Sequence, residues 1–124
     1  MANRCWNSIR FNGSDEALNG LYDKLLLKVE EGLFIDSYQE LFLTEKPAFN
    51  DFPKWFYPEK PYFENGSLFV QGESAWGPVI SLVQMLCESY RLSGSISWDE
   101  PGARIRGTSE FNEVGKLIAS SGRS

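Results

Sequence analysis

The sequence predicts a two-layer α+β sandwich, with two helices on one face of an antiparallel sheet and a long aromatic loop. Three observations carry this. Short segments of alternating polarity at residues 7–13, 67–73 and 96–107 are separated by two segments of helical periodicity, at 14–32 and 77–94. Each strand has one apolar face and each helix one apolar stripe, and these must be buried together. The 124 residues, 42% of them hydrophobic, are enough for one core and one domain, expected over residues 1–118 with a frayed tail at 119–124.

Asn7 to Gly13 reads as the first strand, with Ile9 and Phe11 on one face and Ser8, Arg10 and Asn12 on the other. Ser14 is a good N-cap and is followed by Asp15 and Glu16. Leu18, Leu21, Tyr22, Leu25, Leu26 and Val29 then recur at helical spacing until Gly32. Residues 34–43 suit either a helix or a strand, and the capping-box spacing of Ser37 and Glu40 favours a short helix. Residues 44–66 hold four prolines and seven aromatic residues, which predicts an ordered loop packed by its own rings. Ser67 to Glu73 is a strand with Leu68 and Val70 opposite Phe69 and Gln71. Gly77 allows a sharp turn, and Pro78 fits a first helical turn, where its missing N–H costs nothing. Val79, Leu82, Val83, Leu86, Cys87 and Tyr90 make the second stripe, closed by Ser93 and Gly94. Ile96 and Trp98 begin a third strand, Glu100-Pro101-Gly102 a turn, and Ala103 to Gly107 a return strand.

Composition narrows the chemistry. The chain contains no histidine, which removes Ser-His and Cys-His nucleophile pairs and histidine metal sites together. No metal and no cofactor are expected, and no enzymatic activity. Twelve basic against 17 acidic side chains give a formal charge of −5, which disfavours non-specific binding of nucleic acid or membrane. Cys5 and Cys87 lack CxxC spacing and no basic-then-apolar leader precedes them, so free thiols in a cytoplasm are expected. Asp99, Glu100, Glu110 and Glu113 read as solvated turn acids, since adjacent strand residues such as Asp99 and Glu100 point to opposite faces.

Three blocks, MANRCWN, NGSLFVQGESAWGP and WDEPGARIRG, resemble in order those of the YubB-type ferredoxin-like domain proteins of phages, plasmids and other mobile elements. Their pattern has an M-x-N-W-C-x-N start, a strand entering the second helix through Ala-Trp-Ser/Gly-Pro, and a Glu-Pro-Gly turn before a final strand. Arg4 stands where that family has tryptophan, with Trp6 on the far side of Cys5, and residues 33–66 match poorly. The resemblance implies a ferredoxin-like fold and a mobile-element setting, without an activity.

Two binding surfaces follow. The first is the aromatic loop, with Trp55 and Tyr57 as anchors and Asp51 and Glu59 steering a basic host protein in the host cytoplasm. Its sharpest form, implied by the mobile-element setting, is an inhibitor of host defence of the anti-CRISPR or anti-restriction type. The second is the sheet face away from the helices, where Trp6, Arg10, Phe69, Arg104 and Arg106 would stack single-stranded RNA or a nucleotide. Against the second, the loop is expected to fold over that face.

Overall fold

The first strand is longer than its alternating core. The computed structural model describes residues 4–45, 51–102 and 104–123, and β1 runs Arg4–Asn12 with Cys5, Asn7, Ile9 and Phe11 buried. Ser14 Oγ accepts the backbone N–H of Ala17 and starts α1, Asp15–Leu26. The helix ends before Val29. Residues 27–31 form turns, leaving Leu26 and Leu27 exposed, and Gly32 follows at φ +74.

The ambiguous segment divides into a two-residue strand, β2 (Leu33–Phe34), and a 3₁₀ helix, Tyr38–Leu41. Ser37 makes no capping box. Its hydroxyl instead accepts from Phe34 N and donates to Phe34 O, closing the turn before the helix.

The expected aromatic loop is in part sheet. β3 (Trp55–Pro58) and β4 (Tyr62–Glu64) both pair antiparallel with β5 (Ser67–Ala75). They are two halves of one edge, interrupted between Pro58 and Pro61, and Glu59 N still donates to Gln71 O at 2.7 Å across the break. Pro58 is tolerated here because β2 pairs only with Trp55 and Phe56, so among the described residues the chain at Pro58 has no outer neighbour to receive an N–H. Asn65 and Gly66, both at positive φ, form the two-residue turn joining β4 to β5. Residues 46–50 of the expected loop lie outside the described residues.

Helix α2 spans Ile80–Tyr90, so Pro78 precedes the helix instead of opening its first turn. It stops at Arg91 in the left-handed conformation, and Ser93 and Gly94 already belong to β6 (Ser93–Glu100). β7 (Ile105–Phe111) and β8 (Leu117–Arg123) complete the sheet. The expected frayed tail is thus an edge strand through Arg123. Ala103, assigned to the return strand, lies outside the described residues.

Among the described residues, the two helices accompany eight strands in one antiparallel sheet of order β2-β3-β5-β1-β6-β7-β8, with β4 also on β5. β1 lies between β5 and β6, antiparallel to both, and α2 connects those two outer strands. Side chains from both helices share one buried cluster with Ile9, Phe11, Leu68, Val70 and Ile96. The helices therefore cover the same sheet face. Tyr38, Leu41, Phe52 and Phe56 join that cluster, which is where much of the aromatic segment is buried. No helix among the described residues is long and apolar enough to cross a membrane.

Candidate functional site

Strand register fixes the face turned away from the helices. In one cross-strand row stand Tyr57, Glu73, Trp6, Asp99 and Arg106. The next row holds Gln71, Ser8, Ser97, Thr108 and Ser121, and a third holds Tyr62, Phe69, Arg10, Ser95 and Glu110. A band of small hydroxyl side chains is thus flanked by two rows that carry rings and charges. The turn after α1 reaches one end of this face, where Gly32 packs against the Tyr57 ring and Val29 lines the space beside it.

The described part of the aromatic segment does not fold over the face as expected. β3 and β4 extend the sheet sideways, so their outward rings join the face instead of roofing it. Trp6 is 37% exposed, Tyr57 43% and Phe34 38%. Tyr57 contacts Phe34 edge-on at 5.7 Å and half-buried Trp55 at 5.2 Å between ring centroids. Phe34 sits opposite Trp55 in the β2–β3 pairing, which places all three rings beside one another at the sheet's edge. An open cleft of about 500 Å³ lies between Trp6, Tyr57, Glu59 and Glu73.

The two surfaces read from the sequence therefore merge at one end of one face. Trp55 and Tyr57 stand on it with Trp6, and Glu59 lines the cleft. Asp51 is exposed ahead of β3. Arg10, Phe69 and Arg106 share the face as expected. Arg104 does not: it lies at φ 56 in the turn between β6 and β7, with its N–H on Pro101 O at 3.2 Å. A turn residue in the left-handed conformation does not follow the strand's alternation.

Phe69 is already in use. Tyr62 stacks on its ring at 5.3 Å and 12° between planes, and the Arg10 guanidinium lies 5.8 Å from its centroid. Arg10 Nε also donates to Ser67 Oγ at 3.1 Å, and Ser67 donates to Asn12 Oδ1. A hollow of about 300 Å³ beside it is lined by Ser8, Arg10, Phe69, Ser97 and Thr108. Phe34 was not among the sequence candidates, and only its pairing with Trp55 brings it to the site.

Elsewhere the groups with catalytic potential are muted. Cys5 and Cys87 are buried free thiols, each pushed up to about 12 by burial, with the charge of Glu100 adding to the effect at Cys5. Neither is a ready nucleophile at neutral pH. Glu100 is not the solvated acid expected: it is 5% exposed, on the helix side of β6, and its Oε1 has no hydrogen-bond partner among the described residues. Its neighbour Asp99 is exposed on the opposite face, as strand alternation requires. Among the described residues no group of three His, Cys, Asp or Glu side chains is placed to hold a metal ion. No family model matches the chain, and no curated protein or solved structure matches it either.

Proposed function

We propose that the protein is a non-enzymatic binding module that engages a basic protein surface through the aromatic end of the sheet face turned away from the helices. The observation that carries this is the exposed Phe34–Tyr57 ring pair with exposed Trp6 across Glu73 from it, around one cleft with Glu59 and next to Asp99. Single exposed apolar side chains are ordinary, whereas a contiguous ring patch with a polar rim marks an interaction surface. Tyrosine and tryptophan anchors supply large contact area at modest entropic cost. The net charge of −5 favours a basic partner and faster encounter at low salt.

Base stacking on the same face has less support. Tyr62 and Arg10 occupy the Phe69 ring, and Glu64, Glu73, Asp99 and Glu110 share the face with Arg4, Arg10 and Arg106, so it carries no excess of positive charge. A polyanion gains little there. The strand order β6-β1-β5-β3, with a helix after β1 and after β5, supports reading the core as ferredoxin-like, flanked by β2 on one side and β7–β8 on the other. The resemblance of the three sequence blocks adds a mobile-element setting. In that setting the partner is a host protein of the cytoplasm, and host-defence inhibition is the sharpest form of the reading.

The test measures binding of the folded wild type, Trp6→Ala, Tyr57→Ala and Phe69→Ala to a purified partner recovered from host lysate and to a fluorescent single-stranded oligonucleotide. Expected are partner affinities reduced about tenfold or more by Trp6→Ala or Tyr57→Ala, as anchor truncations do, and weaker association at higher salt. Oligonucleotide binding at physiological salt that is lost with Phe69→Ala and indifferent to Tyr57→Ala would overturn the proposal.

A further inference from the structure

The row Tyr57, Glu73, Trp6, Asp99 alternates ring and carboxylate across four adjacent strands. Adjacent strands are about 4.8 Å apart, so Tyr57 and Trp6 stand roughly 10 Å from one another at the backbone, with Glu73 between them. A planar cation held between two rings needs about 7–8 Å, two contacts of 3.5–4 Å, which this spacing admits. The cleft of about 500 Å³ opens at this point, with Glu59 adding a second carboxylate and Lys60 at its lining.

A cation already pairs with the Glu73 carboxylate. Arg4 Nη1 donates to Glu73 Oε2 at 3.4 Å, a long contact between side chains that are 70% and 43% exposed. An ion pair so exposed and so long is weakly held and exchanges readily with solvent. The carboxylate is thus loosely occupied by the chain's own guanidinium.

We propose that Tyr57, Glu73 and Trp6 form a subsite for an arginine side chain of the protein partner, which displaces Arg4 from Glu73. This deepens the reading of the face as a protein-binding surface and rests on it. Ring faces carry negative potential and attract a cation above them, guanidinium more often than ammonium. Arginine also stacks flat and pairs with a carboxylate through its fork of donors, which lysine does not. Glu59, Glu73 and Asp99 disfavour an anionic ligand in the same place. Arg4 then acts as an internal competitor, so the free protein holds the subsite in a paired state that a better-placed guanidinium replaces.

The probe is a short Gly/Ser peptide carrying arginines, compared with its lysine and citrulline counterparts by isothermal titration at physiological salt. Expected is the order arginine, lysine, citrulline, with Glu73→Gln and Trp6→Leu each weakening the arginine peptide about tenfold. Arg4→Ala is expected to tighten binding several-fold by freeing Glu73, the opposite of what a merely structural arginine would give. Glu16→Gln, an exposed helix-face change of equal charge, controls for bulk attraction. An equal loss from Glu16→Gln, or equal affinity for the citrulline peptide, would overturn the subsite. So would a partner whose binding is lost with Tyr57→Ala but indifferent to Glu73→Gln, and that result leaves the ring surface standing. Indifference of the partner to Tyr57→Ala and Trp6→Ala alike removes both.

Discussion

Asn7 Oδ1 accepts the backbone N–H of Val79 at 3.0 Å, so the first strand of the sheet caps the second helix. Val79 brings no capping side chain of its own. Asn7 Nδ2 donates in turn to Gly72 O at 3.1 Å and Ser74 Oγ at 2.9 Å, and Ser74 Oγ donates to Gly77 O. One fully buried amide therefore ties together β1, the end of β5 and the Ala75-Trp76-Gly77-Pro78 junction. Trp76 there takes the left-handed conformation, at φ 67.

Asn7→Ala leaves the Val79 N–H without its acceptor and removes the donor to Ser74 in a water-excluded site. The expected loss is about 2–4 kcal/mol of stability. Urea denaturation measures it, and a midpoint within error of the wild type would show that the amide is dispensable. Asn7→Asp keeps an acceptor for Val79 but loses the amide donors and buries a charge, so it should also destabilise, increasingly as pH rises through the carboxylate range.

The shared helix-and-sheet core makes a second expectation. Leu25→Ala and Leu82→Ala, at positions 2% and 1% exposed, should each cost about 2–5 kcal/mol. Leu27→Ala, beyond the end of α1, should stay within about 0.5 kcal/mol of wild type. Thermal melts that rank the three otherwise would remove α1 or α2 from the core.

Gly72 controls the edge that carries the aromatic patch. A Cβ there would lie 2.2 Å from the Tyr57 carbonyl oxygen and 2.9 Å from Pro58 Cα, contacts that backbone cannot relieve without moving β3. Gly72→Ala should cost about 1–3 kcal/mol. Hydrogen exchange should show lost protection at the Glu59 amide while the β1–β6 amides keep theirs. Uniform protection would place the strain elsewhere.

Buried acids of high pKa set the alkaline limit. Cys5 and Cys87 rise from 9.0 to about 12 and Tyr90 from 10.0 to about 12, all chiefly by burial, and Tyr38 rises for the same reason. In the unfolded chain these groups release protons near their ordinary values, while the folded protein retains them. The unfolded state then binds fewer protons, so stability is fully present below pH 9 and falls as pH rises from 9 toward 12. Denaturation midpoints from pH 7 to 11 test the sign, and Cys87→Ala should flatten the slope. Iodoacetamide should label both thiols only in denaturant.

Local rules are readable in sequence because their physics is local. The Ser14 cap, the stripe of Leu18, Leu21 and Leu25, and the alternation of Ile9 and Phe11 against Arg10 are all settled within a few residues of chain. The side of the sheet on which Arg10, Phe69 and Arg106 stand follows from the same alternation. Tertiary structure decided the rest. The proline-broken segment becomes β3 and β4 because β5 offers hydrogen bonds on either side of the break, a partner that composition does not reveal. The tail becomes β8 because β7 pairs with it, although its small exposed residues show no apolar alternation. Arg104 leaves the face because the turn bends before the strand begins. Pairing across distant residues, Phe34 with Trp55 and Tyr57 and Trp6 with Glu73, gathers into one patch rings that lie up to 51 positions apart between Trp6 and Tyr57. Hydrogen-bond register between strands carries that information, and single-strand patterning cannot.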